Sequence, residues 1–149
     1  MPTSRRVVLI TGAARRIGAA IARRLHADGY DVALHYRDSA ADMHGLVDEL
    51  EAGRQGSTLM LQADLAVFDR RPELVAKTVG HYGRLDALVN NAAAFYPTPA
   101  GSATPAQWEE LFGVNARAPF FLAQAAAPHL RAVRGAIVNI ADIYADKPR

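Results

Sequence analysis

Five short apolar runs, each separated from the next by a longer stretch of helical character, set the strongest constraint on this 149-residue chain. Residues 7–10, 32–36, 57–62, 85–89 and 136–140 read as strands. Residues 17–26, 40–52, 72–82 and 105–130 read as helices. In the first helix Ile17, Ile21 and Leu25 recur at helical spacing, and Gly29 stops it. Pro72 suits the first turn of the third helix. Pro119 removes a backbone donor from the fourth, which predicts a bend there. The strands are nearly all apolar, as expected when both faces of a sheet are covered. The order βαβαβαβαβ with such strands predicts an α/β architecture around a parallel sheet. Right-handed crossovers leave the doubly wound, Rossmann-like dinucleotide fold as the leading topology.

The first strand runs into Thr11-Gly12-Ala13-Ala14-Arg15-Arg16-Ile17-Gly18, and a helix follows. Such a strand-to-helix turn points backbone N–H groups at an anion. Glycine lets the chain turn sharply and lets a phosphate approach the backbone. Two glycines alone are a weak signal, but this pair sits at the first βα junction, where a pyrophosphate site is expected.

The second strand ends in His35-Tyr36-Arg37-Asp38-Ser39. In dinucleotide folds this strand end reads the ribose 2′ position, where an acid accepts from a hydroxyl and an arginine pairs with a phosphate. Arg37 and Ser39, with Arg15 and Arg16 in the glycine turn, favour the phosphorylated cofactor, NADPH. Asp38 weakens that preference if its carboxylate faces the site.

With these residues in place, the chain resembles the short-chain dehydrogenase/reductase family. Four landmarks match in order: Thr11-Gly12 with Gly18, Asp64-Leu65, Asn90-Asn91-Ala92, and Asn115 in the long helix. Within the family it is similar to the pteridine reductase branch, through Arg15-Arg16, Leu34-His35-Tyr36-Arg37, and the loop from Asn90 to Pro99. The resemblance implies that Gly12, Arg16, Ile17 and Gly18 hold the pyrophosphate side. It implies that His35, Tyr36, Arg37 and Ser39 hold the 2′-phosphate, and that Asp64 and Leu65 flank adenine. The backbone of Asn91, Ala92 and Ala93 is then expected beside the nicotinamide ribose. Phe95 is expected to stack on a flat heterocycle, with Arg16 hydrogen-bonding a pterin. Asn115 is expected to keep its helix open for a water in a proton relay. At the end of the fifth strand Asp142 stands where most of the family has a serine. A carboxylic acid there donates a proton to a ring nitrogen more readily than a serine does.

The family's catalytic tyrosine and lysine lie four apart on a helix, one turn, so that the ammonium lowers the tyrosine pKa. Tyr144 and Lys147 are three apart, close behind Asp142 and followed by Pro148, and read as loop residues. The expectation is that residues 1–149 are the N-terminal, dinucleotide-binding portion of one Rossmann-like domain, with a sheet incomplete at its C-terminal side and a core open along one edge. The implied activity is an NADPH-dependent reduction of a pterin or related flat heterocycle by hydride transfer, with the chain inactive by itself. A carbonyl or quinone substrate and a non-catalytic nucleotide-binding fragment stay open as alternatives.

Composition narrows the other classes. With no cysteine, a disulfide scaffold, a thiolate zinc site and a cysteine nucleophile are excluded. The formal charge of +2 comes from 17 basic residues mixed among 15 acidic ones, without the long basic tract expected of a nucleic-acid surface. No apolar run nears the roughly 20 residues of a membrane helix, and residues 1–6 do not open a signal peptide. The expectation is a soluble, cytoplasmic protein that binds a small molecule, no metal, no membrane and no nucleic acid. By resemblance the full-length protein is expected to be a homotetramer.

Overall fold

The computed structural model describes residues 4–67, 70–142, 144 and 146–147. In chain order they form β1 (Val7–Ile10), α1 (Arg16–Ala27), β2 (Asp31–Tyr36), α2 (Ala40–Gly53), β3 (Thr58–Gln62) and α3 (Arg70–Tyr82). β4 (Ala87–Asn90), α4 (Pro105–Phe112), a π-helical segment (Gly113–Arg117), α5 (Ala118–Val133) and β5 (Ala136–Asn139) complete them. The strands lie in the order β3-β2-β1-β4-β5, with every neighbouring pair parallel. This is the α/β, doubly wound, Rossmann-like sheet expected from the alternation.

Alternation along each strand assigns side chains to two layers. Val7 and Leu9 of β1 face α3 and α5, packing with Leu74, Val75, Leu122 and Leu130. Val8 and Ile10 face α1 and α2, packing with Ala22, Met43 and Leu46. Burying each of these leucine, isoleucine or valine side chains stabilises the fold by about 1.5–3 kcal/mol before entropy is counted. β1 and β2 are buried along their whole length, as their composition demands. β3 and β5 are not. They are the sheet edges, and β5 is exposed at all four residues although its sequence is as apolar as that of β1.

Two local details depart from the sequence reading. α3 begins at Arg70, so Pro72 is its third residue. The expected single helix over 105–130 is two helices joined by the π segment. Thr104 opens α4 with a reciprocal capping box: its hydroxyl accepts from Gln107 N, and the Gln107 side chain accepts from Thr104 N. Pro119 is the second residue of α5, where it cannot donate to the Asn115 carbonyl. The discontinuity therefore falls in the turn before the proline, where Ala118 N–H reaches Gly113 O five residues back.

Because the chain crosses from β3 to the far side of β1, the order in which strands are added reverses between β1 and β4. Such a switch point opens a crevice at the carboxyl ends of the strands.

Candidate functional site

The crevice is shaped first by the glycine turn after β1. Gly12 has φ +62°, and a Cβ on it would lie 2.9 Å from Ala92 Cα. A Cβ on Gly18 would lie 2.1 Å from Gly12 O and 2.7 Å from Asn91 Nδ2. Gly18 therefore requires glycine because the turn folds back on its own backbone at Gly12 and Ala13, and Gly12 because the turn is pressed against the chain leaving β4. That contact is stitched by hydrogen bonds. The Thr11 hydroxyl oxygen accepts from Asn91 N and Ala92 N, each at 3.0 Å. The Asn91 side chain donates to Thr11 O at 3.1 Å and Gly12 O at 3.0 Å.

His35 holds the turn from the other side. Its Nδ1 accepts from Gly12 N at 3.1 Å, and its Nε2 donates to Ala63 O at 2.9 Å. The first bond fixes the neutral tautomer, since Gly12 N–H has only a proton to give. Burial pushes the imidazole pKa below its ordinary value, against the opposing pull of the Ala63 carbonyl and Asp64. His35 lines the cleft, but both ring nitrogens are committed to backbone groups. It braces the turn and presents no free ring donor to a phosphate.

The resulting cleft has a volume of about 510 Å³. One wall is the glycine turn, with Gly12, Arg15, Arg16, Ile17 and Gly18. The floor and far end come from β2 and β3 through His35, Tyr36, Arg37, Ser39, Asp64 and Leu65. Asn91, Ala92 and Ala93, packed against that turn, complete the lining. All the residues singled out from the sequence for a dinucleotide thus meet around one cavity. Ala14, Asp38, Ala63, Ala94 and Val114 also line it. Apart from Asp38, these carry only aliphatic surface and gave no sequence signal.

The charges in this cleft are unevenly paired. Arg37 Nε lies 3.2 Å from Asp38 and 3.8 Å from Asp64. Arg15 lies 3.7 Å from Asp42. Among the described residues Arg16 pairs with no carboxylate, and its backbone is held at φ +50°, a left-handed conformation costly for any residue with a Cβ. Ser39 is the residue before α2, yet its hydroxyl does not cap that helix. An unpaired guanidinium, two weakly paired ones, an uncommitted hydroxyl and the first amides of α1 suit a phosphate-bearing ligand.

Three residues picked from the sequence lie outside the cleft wall. Phe95 follows that wall directly and is 90% exposed, with no core packing. The loop carrying it is tied to α4 by Tyr96, whose hydroxyl donates to Glu110 at 2.7 Å. Asn115 lies in the π segment. Its amide donates to Ala94 O at 2.7 Å and its oxygen accepts from Ala94 N at 2.9 Å, so it grips the residue before Phe95 on both sides. Asp142 lies past β5, which is joined to β4 through Asn90 Nδ2 donating to Asn139 Oδ1 at 2.8 Å and through Ile140 N on Asn90 O. Asp142 is exposed, and its carboxylate accepts from Tyr144 N at 2.9 Å. That bond is local, spanning two residues. Tyr144 and Lys147 are both exposed, and Pro148 lies outside the described residues.

Sequence reasoning missed one buried residue near the site. Arg71 has no exposed surface, and its guanidinium donates to the carbonyls of Leu65, Ala66 and Gly113. Its position in an Arg-Arg pair on a helix reads as surface charge, and nothing local marks it as internal. Among the described residues no cluster of three His, Cys, Asp or Glu could hold a metal, and no helix is long and apolar enough to cross a membrane.

Comparison with known proteins agrees with this fold. The family model described as short chain dehydrogenase matches residues 6–149. Pteridine reductase 1 of Leishmania tarentolae is 38% identical over 95% of this chain and 62% of its own length. A hydroxynaphthalene reductase of Aspergillus fumigatus is 36% identical over 88% of this chain and 48% of its own. A 3-oxoacyl-(acyl-carrier-protein) reductase of Staphylococcus aureus is 32% identical over 91% of this chain and 55% of its own. The chain thus spans between about half and three fifths of the relatives it matches.

Proposed function

The chain belongs to the short-chain dehydrogenase family, and from that premise we propose that it forms the NADPH-binding portion of a reductase acting on a pterin or a related flat heterocycle. Phe95 carries the substrate half of this reading. An aromatic face that is 90% exposed, directly after the cleft lining and fixed through Ala94 and Tyr96, offers a surface on which a flat ring can stack. Offset stacking adds about 0.5–1.5 kcal/mol beyond area burial. The likeness to a pteridine reductase supports it.

The cofactor half rests on the cleft. Arg16, Arg37 and Ser39 would receive phosphate groups, Gly12, Ile17 and Gly18 would let the pyrophosphate approach the turn, and Arg15 would add positive charge. Tyr36, Asp64 and Leu65 would bound the adenosine end, and Asn91, Ala92 and Ala93 the nicotinamide end. The bound NADPH would supply a hydride. His35 would hold the turn, Asn115 would hold Ala94 and the loop after it, and Asp142 would deliver a proton to a substrate ring nitrogen.

We extend the same reading to the whole protein: a cytoplasmic homotetramer whose domain includes residues beyond those that form this sheet. Two observations support a larger domain. β5 is exposed along its length, and the relatives matched are longer. Tyr144 and Lys147 do not form a helical pair four apart, so the 149-residue chain is expected to bind NADPH without turnover. A carbonyl substrate is the second reading, favoured by the naphthalene and oxoacyl reductases among the relatives.

Titration with NADPH and NADH tests the cofactor, and Arg37→Ala tests its selection. The substitution should weaken NADPH binding about tenfold and leave NADH binding nearly unchanged, because one charge-assisted phosphate contact is worth about 1.5–3 kcal/mol before compensation. Equal losses for both cofactors remove Arg37 from the 2′-phosphate. Turnover by the full-length protein on dihydropteridines, dihydrofolate, quinones and simple ketones separates the substrate readings, and activity on ketones alone sinks the pterin one.

A further inference from the structure

We propose that Arg71 is a positioning residue that couples the two ends of the cleft by tying the turn after β3 to the π segment. The inference rests on the cofactor reading above. Arg71 is fully buried in the first turns of α3. Its Nε donates to Leu65 O at 2.8 Å, and its Nη2 reaches Ala66 O at 3.3 Å and Gly113 O at 3.5 Å. Leu65 lines the adenosine end of the cleft. Gly113 opens the π segment, and its carbonyl is the acceptor of the Ala118 N–H that closes the wide turn. Arg71 therefore donates to the same carbonyl that defines the π geometry.

The two segments also run near each other independently of the guanidinium: a Cβ added at Gly113 would come within van der Waals distance, 3.9 Å, of Ala66 Cα. From Gly113 the connection continues through Asn115, two residues on, which holds Ala94 by both its amide and its carbonyl. Ala94 lines the cleft at its other end and precedes Phe95. One unbroken path of hydrogen bonds and short chain segments thus runs from Leu65 through Arg71, Gly113 and Asn115 to Ala94.

The planar fork of arginine is what permits this. Its several donors have a fixed geometry, so one side chain can hold carbonyls on two segments at once. A lysine ammonium in place of Nη2 leaves Leu65 O without its Nε donor and lacks the fixed plane that aims one nitrogen at Ala66 O and Gly113 O together. The turn at Leu65 has support of its own, since Ala66 N donates to Asp64 Oδ1 at 2.9 Å and Val67 N to Asp64 O at 3.1 Å. The π segment is the partner that depends on Arg71. π-helical turns inside α-helices occur frequently at functional sites, and a wider turn re-aims the side chains it carries. Here that side chain is Asn115.

The test compares the 149-residue chain with its Arg71→Lys and Arg71→Met variants, using NADPH and 2′,5′-ADP as ligands. The second ligand carries only the adenosine end. Arg71→Lys should weaken NADPH about tenfold, with 2′,5′-ADP changed by less than about twofold, because the loss is confined to contacts at the nicotinamide end. Amide exchange supplies a reading without ligand: Ala94 N–H should exchange about tenfold faster in both variants, and the β2 amides should not. Equal weakening of both ligands, or unchanged Ala94 exchange, overturns the proposal and leaves Arg71 a general fold residue. If the unaltered chain binds neither ligand, the cofactor reading itself fails and this inference fails with it.

Discussion

At the scale of single residues, the cleft combines groups held for their charge with groups held for their backbone. Arg16 is both. Its guanidinium has no carboxylate partner among the described residues, and its φ of +50° is one that only glycine adopts freely. Comparing Arg16→Gly with Arg16→Ala separates the two roles. Both should lose NADPH affinity to the same extent, while the glycine variant should be the more stable by about 1 kcal/mol in urea unfolding. Equal stability would show that the backbone there is unstrained. His35 makes a pH prediction. Burial holds its pKa below the ordinary value, so the folded state binds the neutral ring. The unfolded chain takes up the proton first as pH falls, and the stability linked to His35 is present above its unfolded pKa of about 6.5 and lost progressively below it. His26, whose Nε2 donates to Ser57 Oγ at 2.7 Å, is also lowered by burial and adds in the same direction. The unfolding midpoint should therefore drop between neutral pH and pH near 5, and His35→Asn should make that drop shallower. A slope unchanged by the substitution would assign the effect elsewhere.

At the scale of elements, one substitution has opposite outcomes depending on what packs against the glycine. Gly45 is in the middle of α2, and a Cβ there meets nothing within 4 Å. Gly45→Ala should stabilise the chain by about 0.5–1 kcal/mol, since alanine is the better helix former. Gly18 is in the first turn of α1, where a Cβ meets backbone at 2.1 Å. Gly18→Ala should cost about 3 kcal/mol or prevent folding, because the atoms in the way are peptide groups that cannot rotate aside. Thermal or urea unfolding of the pair checks both signs, and a destabilising Gly45→Ala would show a hidden neighbour. The long helical region makes the same point about neighbours. Pro119 predicted an interruption, and one is present. Its form is a π segment whose first carbonyl, Gly113 O, also accepts from the buried Arg71, a long-range contact that no local pattern contains.

For the whole molecule, the decisive feature is the contrast between β1 and β5. Both are short and apolar. β1 lies between two strands and two helical layers, whereas β5 pairs only with β4 and is exposed at every residue. Ile137, Val138 and Ile140 thus present apolar surface beside open backbone groups, the combination that drives edge-to-edge association. The 149-residue chain should self-associate, and Val138→Lys should reduce this in sedimentation experiments while changing NADPH affinity by less than about twofold. A chain that stays monomeric at high concentration, with or without the lysine, would show that the edge is protected in solution. Much of this molecule was legible in its sequence. Apolar runs alternating with helical stretches determined a parallel, doubly wound sheet, because periodicity and buried strands leave few arrangements of layers. The glycines, Arg16 and Arg37, picked out because a phosphate site at a strand-to-helix turn needs those residue types, do meet with Asn91 around one cleft. The tertiary structure alone decided which strands are edges, that both nitrogens of His35 serve the backbone, and that Arg71 is internal. These depend on contacts between segments far apart in the chain: Gly12 with His35, Arg71 with Gly113, β4 with β5. Local sequence specifies what a segment can form, and only packing specifies what it then touches.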